Sequence, residues 1–240
     1  MNKSTSNFVA KFCAFTLAET LIVMGIIGIV SALTLPNLNS STGEKEKVAK
    51  VKKLYQNLTD AFGRSQVVYG PFADVVEQKN LSSDNATKFG EVLGERLIEF
   101  MKISKNCKSN YKGCFSDFTL DSGYTSSALS SFSYSFVLAD GTSVFISAAY
   151  LVGGLILIDI DGPNKGNSTL DKDIFAFALS YDDDYSEIKP LGKIEQCISN
   201  KKYCASWVIQ NDNMDYLKVD SQGKCPNGKV LDTTTNTTCK

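Results

Sequence analysis

Three groups of residues have types and spacings that can do chemistry. The first is a single carboxylate, Glu19, the one charge in the run Phe15 to Leu35 (FTLAETLIVMGIIGIVSALTL). A charge at the centre of a membrane-inserted helix costs on the order of 2.5–3.5 kcal/mol on insertion scales, so a carboxylate there implies a partner and a role. The second group is the segment 159–173, DIDGPNKGNSTLDKD, with Asp159 and Asp161 two apart and Asp171 and Asp173 two apart. With Asn164 these offer hard oxygen donors and no nitrogen or sulfur, an environment suited to calcium, which takes six to eight oxygens. The same residues also suit a solvated turn in which Asp side chains cap backbone amides. The third group is the cysteines. Cys107 and Cys114 have six residues between them, as do Cys197 and Cys204, and Cys225 and Cys239 have thirteen. Six cysteines allow fifteen pairings, and sequence-local closure is the simplest of them. The six-residue gaps are long for a zinc site.

The chain has no His, which removes His-based acid–base and metal chemistry. It has no phosphate-cradling glycine loop either, and reads as non-enzymatic. A secreted enzyme with a Cys nucleophile stays open only if the cysteines are not all oxidised. The formal charge is −1, which gives no sign of a nucleic-acid partner.

The elements that must position these groups begin with the apolar run. Twenty-one residues as a helix rise about 31 Å, close to the roughly 30 Å hydrocarbon core of a bilayer. Gly25 and Gly28 would let such helices approach closely in lipid. After Pro36, where a kink or loosening is expected, the apolar residues Val48, Val51, Leu54, Tyr55, Leu58 and Phe62 recur at spacings of three and four. They form one stripe of an amphipathic helix whose other faces carry Lys45, Lys47, Lys50, Lys52 and Lys53. A near-continuous helix from Phe15 to about Arg64 would be roughly 75 Å long.

Gly70-Pro71 stops it. A second helix is expected from about Asn85 to Ser104, capped by Ser83-Asp84, with Phe89, Val92, Leu93, Leu97, Ile98 and Met101 inward. Strands are expected at 132–139 and 142–150, around the hairpin pair Asp140-Gly141, and at 154–159 and 174–181. These imply an antiparallel sheet with one face on the amphipathic helix, an α+β layout. Asp182-Asp183-Asp184 reads as a solvated turn. The tail Gly223–Lys240 is polar, so its order should depend on the last bridge.

The segment AFTLAETLIVMGIIGIVSALTLPNL resembles the N-terminal cleavage and methylation segment of type IV prepilins and type II secretion pseudopilins. Lys3 and Lys11 correspond to the basic leader, Ala14 precedes the cut, Phe15 begins the mature chain, and Glu19 and Pro36 fall where that family has Glu and often Pro. The family usually has Gly where this chain has Ala14. The resemblance implies residues 1–14 as leader peptide, 15–36 as transmembrane or filament-core helix, 37–67 as its amphipathic half and 68–240 as a globular α+β head, pilin-like, with disulfide-stapled loops.

It implies a structural subunit cut after Ala14 by a prepilin peptidase and methylase. The chain would sit first in the bacterial inner membrane as a single span with its head outside the cytoplasm, and then in a pilus or pseudopilus with other such subunits. Cleavage would create an α-amino group on Phe15, and the Glu19 carboxylate of one subunit would meet the amine of its neighbour. Cys13 would leave with the leader, so six cysteines remain in an oxidising compartment. Some secretion pseudopilins hold calcium in a loop like 159–173. The alternative is an exported calcium- and disulfide-stabilised binding protein or adhesin, whose apolar segment is an anchor or a signal cut after Ala32.

Overall fold

The computed structural model describes residues 16–72, 83–120, 123, 125–130, 133–148, 154–163, 168–181 and 186–240, with the backbone alone for 32–42, 83–87 and 181. The chain falls into two units that divide between Gly43 and Glu44.

Helix α1, Leu17–Tyr69, contributes to both units and runs unbroken through Pro36. Within the first unit its described side chains are almost all exposed. Among the described residues no helix is long and apolar enough to cross a membrane. The apolar run of the sequence extends beyond them: Phe15, and the side chains of residues 32–35, lie outside the described set.

The second unit is α+β. After α1 come α2 (Ser83–Ile98), β1 (Ile103–Lys108), α3 (Ser126–Leu129), β2 (Ser133–Leu138), β3 (Ser143–Ser147), β4 (Gly154–Asp159), β5 (Ile174–Tyr181), β6 (Ser186–Pro190), α4 (Ile194–Asn200) and α5 (Ala205–Asn211). The six strands form one sheet in chain order, each antiparallel to the next. The Asp140-Gly141 hairpin forms as its residue types require: Gly141 has φ +88° and the Thr142 amide bonds the Asp140 carboxylate at 3.2 Å.

Register lines up side chains across the sheet. One row runs Phe136, Val144, Ile158, Phe175, and the next runs Tyr134, Ile146, Ile156, Phe177. Both belong to the main core with Val51, Leu54, Leu58 and Phe62 of α1 and Phe89, Leu93 and Leu97 of α2. Tyr55 stacks on Phe177 with ring centres 5.3 Å apart. α1 ends at Tyr69 before Gly70 (φ +80°), and Arg96 of α2 donates to the carbonyls of Tyr69 and Gly70, both at 3.3 Å. A cation there satisfies carbonyls that have no partner within the helix.

Three features depart from the sequence expectation. α2 stops at Ile98 instead of reaching Ser104, because Ile103 to Lys108 pairs with β2 as an edge strand. Ser104, Lys105 and Asn106 are exposed there and carry no apolar alternation to announce a strand. β6 and the α4–α5 pair were not expected either. The sheet is also covered on both faces. Phe145, Leu155, Leu157, Ile174 and Ala176 on the face away from the helices form a second core with Tyr111, Phe115, Phe118, Leu120 and Leu129. The Asp182–Asp184 turn lies outside the described residues.

α2 lies so close to the sheet that it needs glycine where they touch. A Cβ on Gly94 would stand 2.1 Å from the Tyr134 ring, and one on Gly154 2.3 Å from that of Phe89. Gly63 on α1 has nothing within 4 Å. Gly94→Ala should therefore destabilise the protein by about 1–3 kcal/mol through overpacking. Gly63→Ala should stabilise it by about 0.5–1 kcal/mol through helix propensity. Denaturant unfolding of the two variants, with opposite signs expected, checks the packing.

Candidate functional site

At the start of α1, Thr16 and Glu19 form a reciprocal cap. The Thr16 amide and hydroxyl donate to Glu19 Oε2 at 2.9 and 2.8 Å, and the Glu19 amide donates to Thr16 Oγ1 at 3.3 Å. Thr-x-x-Glu ahead of an apolar run is a capping box. That signal stood in the sequence beside the charge itself and went unread. The cap leaves Glu19 at the surface of the first unit, next to Leu17, Leu21, Ile22 and Val23, all more than half exposed. Ala14 and Phe15 lie outside the described residues, as does the side chain of Pro36.

The 159–173 loop distributes its carboxylates differently from the sequence expectation. Asp159 is buried and accepts from the amides of Asp161 (3.1 Å) and Gly162 (3.2 Å) and from the Ser168 hydroxyl (2.8 Å). Burial pushes its carboxyl above the usual carboxylate range, against the pull of those donors. Asp171, also buried and at φ +61°, accepts from the amides of Tyr203 (2.8 Å) and Cys204 (2.6 Å) in the turn between α4 and α5. Its carbonyl accepts from the Tyr216 hydroxyl at 2.6 Å.

Among the described residues of the loop only Asp161 and Asp173 come together, and the group between them is the ammonium of Lys47 on α1. It pairs with Asp173 and stands 3.5 Å from Asp161 Oδ2. Burial lowers the Lys47 pKa, but the two carboxylates outweigh it and hold it above the ordinary lysine value. Among the described residues no group of three or more acidic or Cys side chains is placed to hold a metal ion. Asn164 lies outside them. Among the described residues, the donors that do converge, two carboxylates sharing one ammonium, do not fit calcium, which needs six to eight oxygens.

The cysteines close locally, Cys107 to Cys114, Cys197 to Cys204 and Cys225 to Cys239. The first staples the segment that covers the second core. The second joins α4 to the start of α5. The third is anchored by a buried aspartate in the same way as the second. Asp215 Oδ2 accepts from the Cys239 amide at 2.7 Å and the Thr238 hydroxyl at 2.8 Å, while Oδ1 accepts from Lys218 at 2.5 Å. Lys218 also reaches Glu44 at 2.7 Å, which ties the tail to α1. Neither anchoring role was legible in the sequence: Asp215 has no spacing to mark it, and the spacing of Asp171 ties it to Asp173 rather than to the cysteines.

Comparison of the chain with protein-family models, with curated proteins and with solved structures finds no match.

The anchor at Asp215 makes a pH prediction. Burial raises this carboxyl, but Lys218, the Cys239 amide and Thr238 outweigh it and hold it below the usual range. A depressed folded-state pKa stabilises above the unfolded value, near 3.9, and that stability is lost as pH falls through the lower folded value. Asp215→Asn should cost on the order of 1–2 kcal/mol at neutral pH and flatten the acid limb of the stability curve below about pH 4. Melting temperature followed from pH 7 to pH 2 measures both effects.

Proposed function

We propose that this chain is a structural, non-enzymatic subunit of a type IV pilus or type II secretion pseudopilus, assembled through α1. One observation carries the reading. Nine large apolar side chains from Leu17 to Val30 are each more than half exposed, nine of the twelve such residues among those described. They lie on all sides of the helix, so no single seam against its own head would cover them. Covering them is worth on the order of 10 kcal/mol. A helix apolar all round belongs in lipid or among other helices. The resemblance of residues 14 to 38 to prepilin segments supplies both covers in turn: the inner membrane first, then the filament core with other subunits.

Glu19 gives the assembly its register in this reading. A capped carboxylate at the surface of an apolar helix meets the Phe15 amine of a neighbouring subunit, and each charge offsets the other where water is excluded. The pairing fixes how far one helix slides along the next. Removing one partner of a buried pair leaves the other uncompensated, which is costly.

N-terminal sequencing of the mature protein tests the processing. A start at Phe15 is expected. A start at Leu33 would instead mark a secreted binding protein or adhesin cut after Ala32. Glu19→Gln tests the charge, because Gln still closes the capping box but carries no charge. The variant should insert and fold yet drop out of filaments in a sheared-fibre assay. Normal incorporation would reduce Glu19 to a helix cap.

A further inference from the structure

The second unit carries two exposed rows of opposite charge, one on each side of its sheet. The acidic row belongs to α2. Glu91 and Glu95 stand about one turn apart and Glu99 follows just past the helix end, all three exposed. Phe89, Leu93 and Leu97 take the opposite side of the helix into the main core. Like charges at a spacing of four repel along a helix. Lys88 precedes the row, and Arg96 within it is held by the carbonyls of Tyr69 and Gly70. Glu99 accepts from the Tyr69 hydroxyl, a neutral donor.

The basic row begins on β1. No acid stands between Glu99 and Asp117, and four lysines do: Lys102, Lys105, Lys108 and Lys112. Residues three apart in a regular strand face opposite ways. β1 breaks register twice, between Ile103 and Lys105 and between Asn106 and Lys108. Lys105 then falls opposite Val137 and Lys108 opposite Ser135, two residues apart on β2, so both lysines come to one face. Ser135 pairs in turn with Phe145, so that face is the one covered by the second core. Lys112 is exposed on the same cover, next to Tyr111. Asp117, the next acid, is already bonded by the hydroxyls of Tyr111 and Ser126 at 2.8 and 3.0 Å. Lysines on an edge strand also deter pairing with other chains, but that role requires neither a shared face nor Lys112.

We propose that the α2 row of one subunit docks on the lysine face of the next, Glu91, Glu95 and Glu99 against Lys105, Lys108 and Lys112, and that this contact repeats from subunit to subunit. The occupant is a second copy because the two rows match in number and oppose in sign, and the sheet keeps them apart within one chain. Among the described residues every ion pair is made elsewhere. Two different patches in contact make a heterologous interface, which extends into an open filament when its rotation does not close a ring. Exposed pairs are individually weak, so the rows set register and choice of neighbour while the apolar helices supply the cohesion. The inference rests on the filament reading and adds to it a contact between the α+β units.

The full chain is tested in membranes and in sheared filaments. Glu91→Lys with Glu95→Lys is expected to insert and melt as wild type does but to give several-fold fewer filaments, and Lys105→Glu with Lys108→Glu the same. All four changes in one chain exchange the two signs and are expected to restore assembly. Lys108→Glu with Lys112→Glu replaces the second pair if loss of the Lys105 bond to the Gly113 carbonyl unfolds it. Normal filament yield from either pair, or no recovery in the folded fourfold variant, overturns the contact. A carbodiimide, which joins carboxylates to amines already touching, separates this failure from failure of the filament reading. Covalent wild-type dimers linked through these rows, from membranes that yield no filaments, would sink the filament reading and leave the contact. Filaments whose dimers are linked only elsewhere would sink the contact and leave the filament reading. Absence of both filaments and linked dimers would overturn the two together.

Discussion

The second unit depends on one seam: the stripe Val51, Leu54, Leu58, Ala61 and Phe62 of α1 against the aromatic and branched rows of the sheet. Each of these residues is nearly or wholly removed from water. The polar groups on either side of the stripe are used to fix where the helix lies. Lys47 holds the 159–173 loop, Lys52 holds Asp212 beyond α5, and Lys53 stands 3.5 Å from Asp140 in the hairpin. The Met214 amide donates to Glu44 at 3.2 Å, and the Tyr55 hydroxyl donates to the Ile188 carbonyl at 3.3 Å. Exposed ion pairs of this sort are individually weak. Their use is directional: apolar burial is tolerant of sliding, and groups that must each find one partner are not.

The central strands were legible because residue type and burial agree there. β4 and β5 fall where GLILID and IFAFALSY stand, and the Asp-Gly pair placed the β2–β3 hairpin. The same two runs held a further message. They are apolar without alternation, the mark of a strand buried on both faces, and the second core is what covers them. The edge strands were not legible, since an edge is protected from pairing with other chains by polar side chains, and β1 and β6 carry Ser104, Lys105, Asn106, Glu187 and Lys189.

The carboxylates show the limit of spacing as a guide. Residues two apart at a strand end share a side only while the strand continues. Here the chain turns at Asp159, whose side chain folds back onto the next amides. Asp171 adopts a left-handed backbone that aims it at the α4–α5 turn. What distinguished the four aspartates was which donors came near them, local ones for Asp159 and distant ones for the rest: Lys47 for Asp161 and Asp173, Tyr203 and Cys204 for Asp171. The disulfides were simpler to read, because short loops need no distant partner.

The sheet is laid down in chain order, from β1 at one edge to β6 at the other. No strand has to be threaded between two that are already paired. A chain arriving from its N-terminal end can add each strand to an open edge as it appears, and pairing between sequence neighbours keeps the contacts local, which favours fast closure. Late in the chain, Tyr216 comes back to the Asp171 carbonyl and Lys218 to Glu44 of the first helix. The topology thus allows the unit to assemble in the order of synthesis.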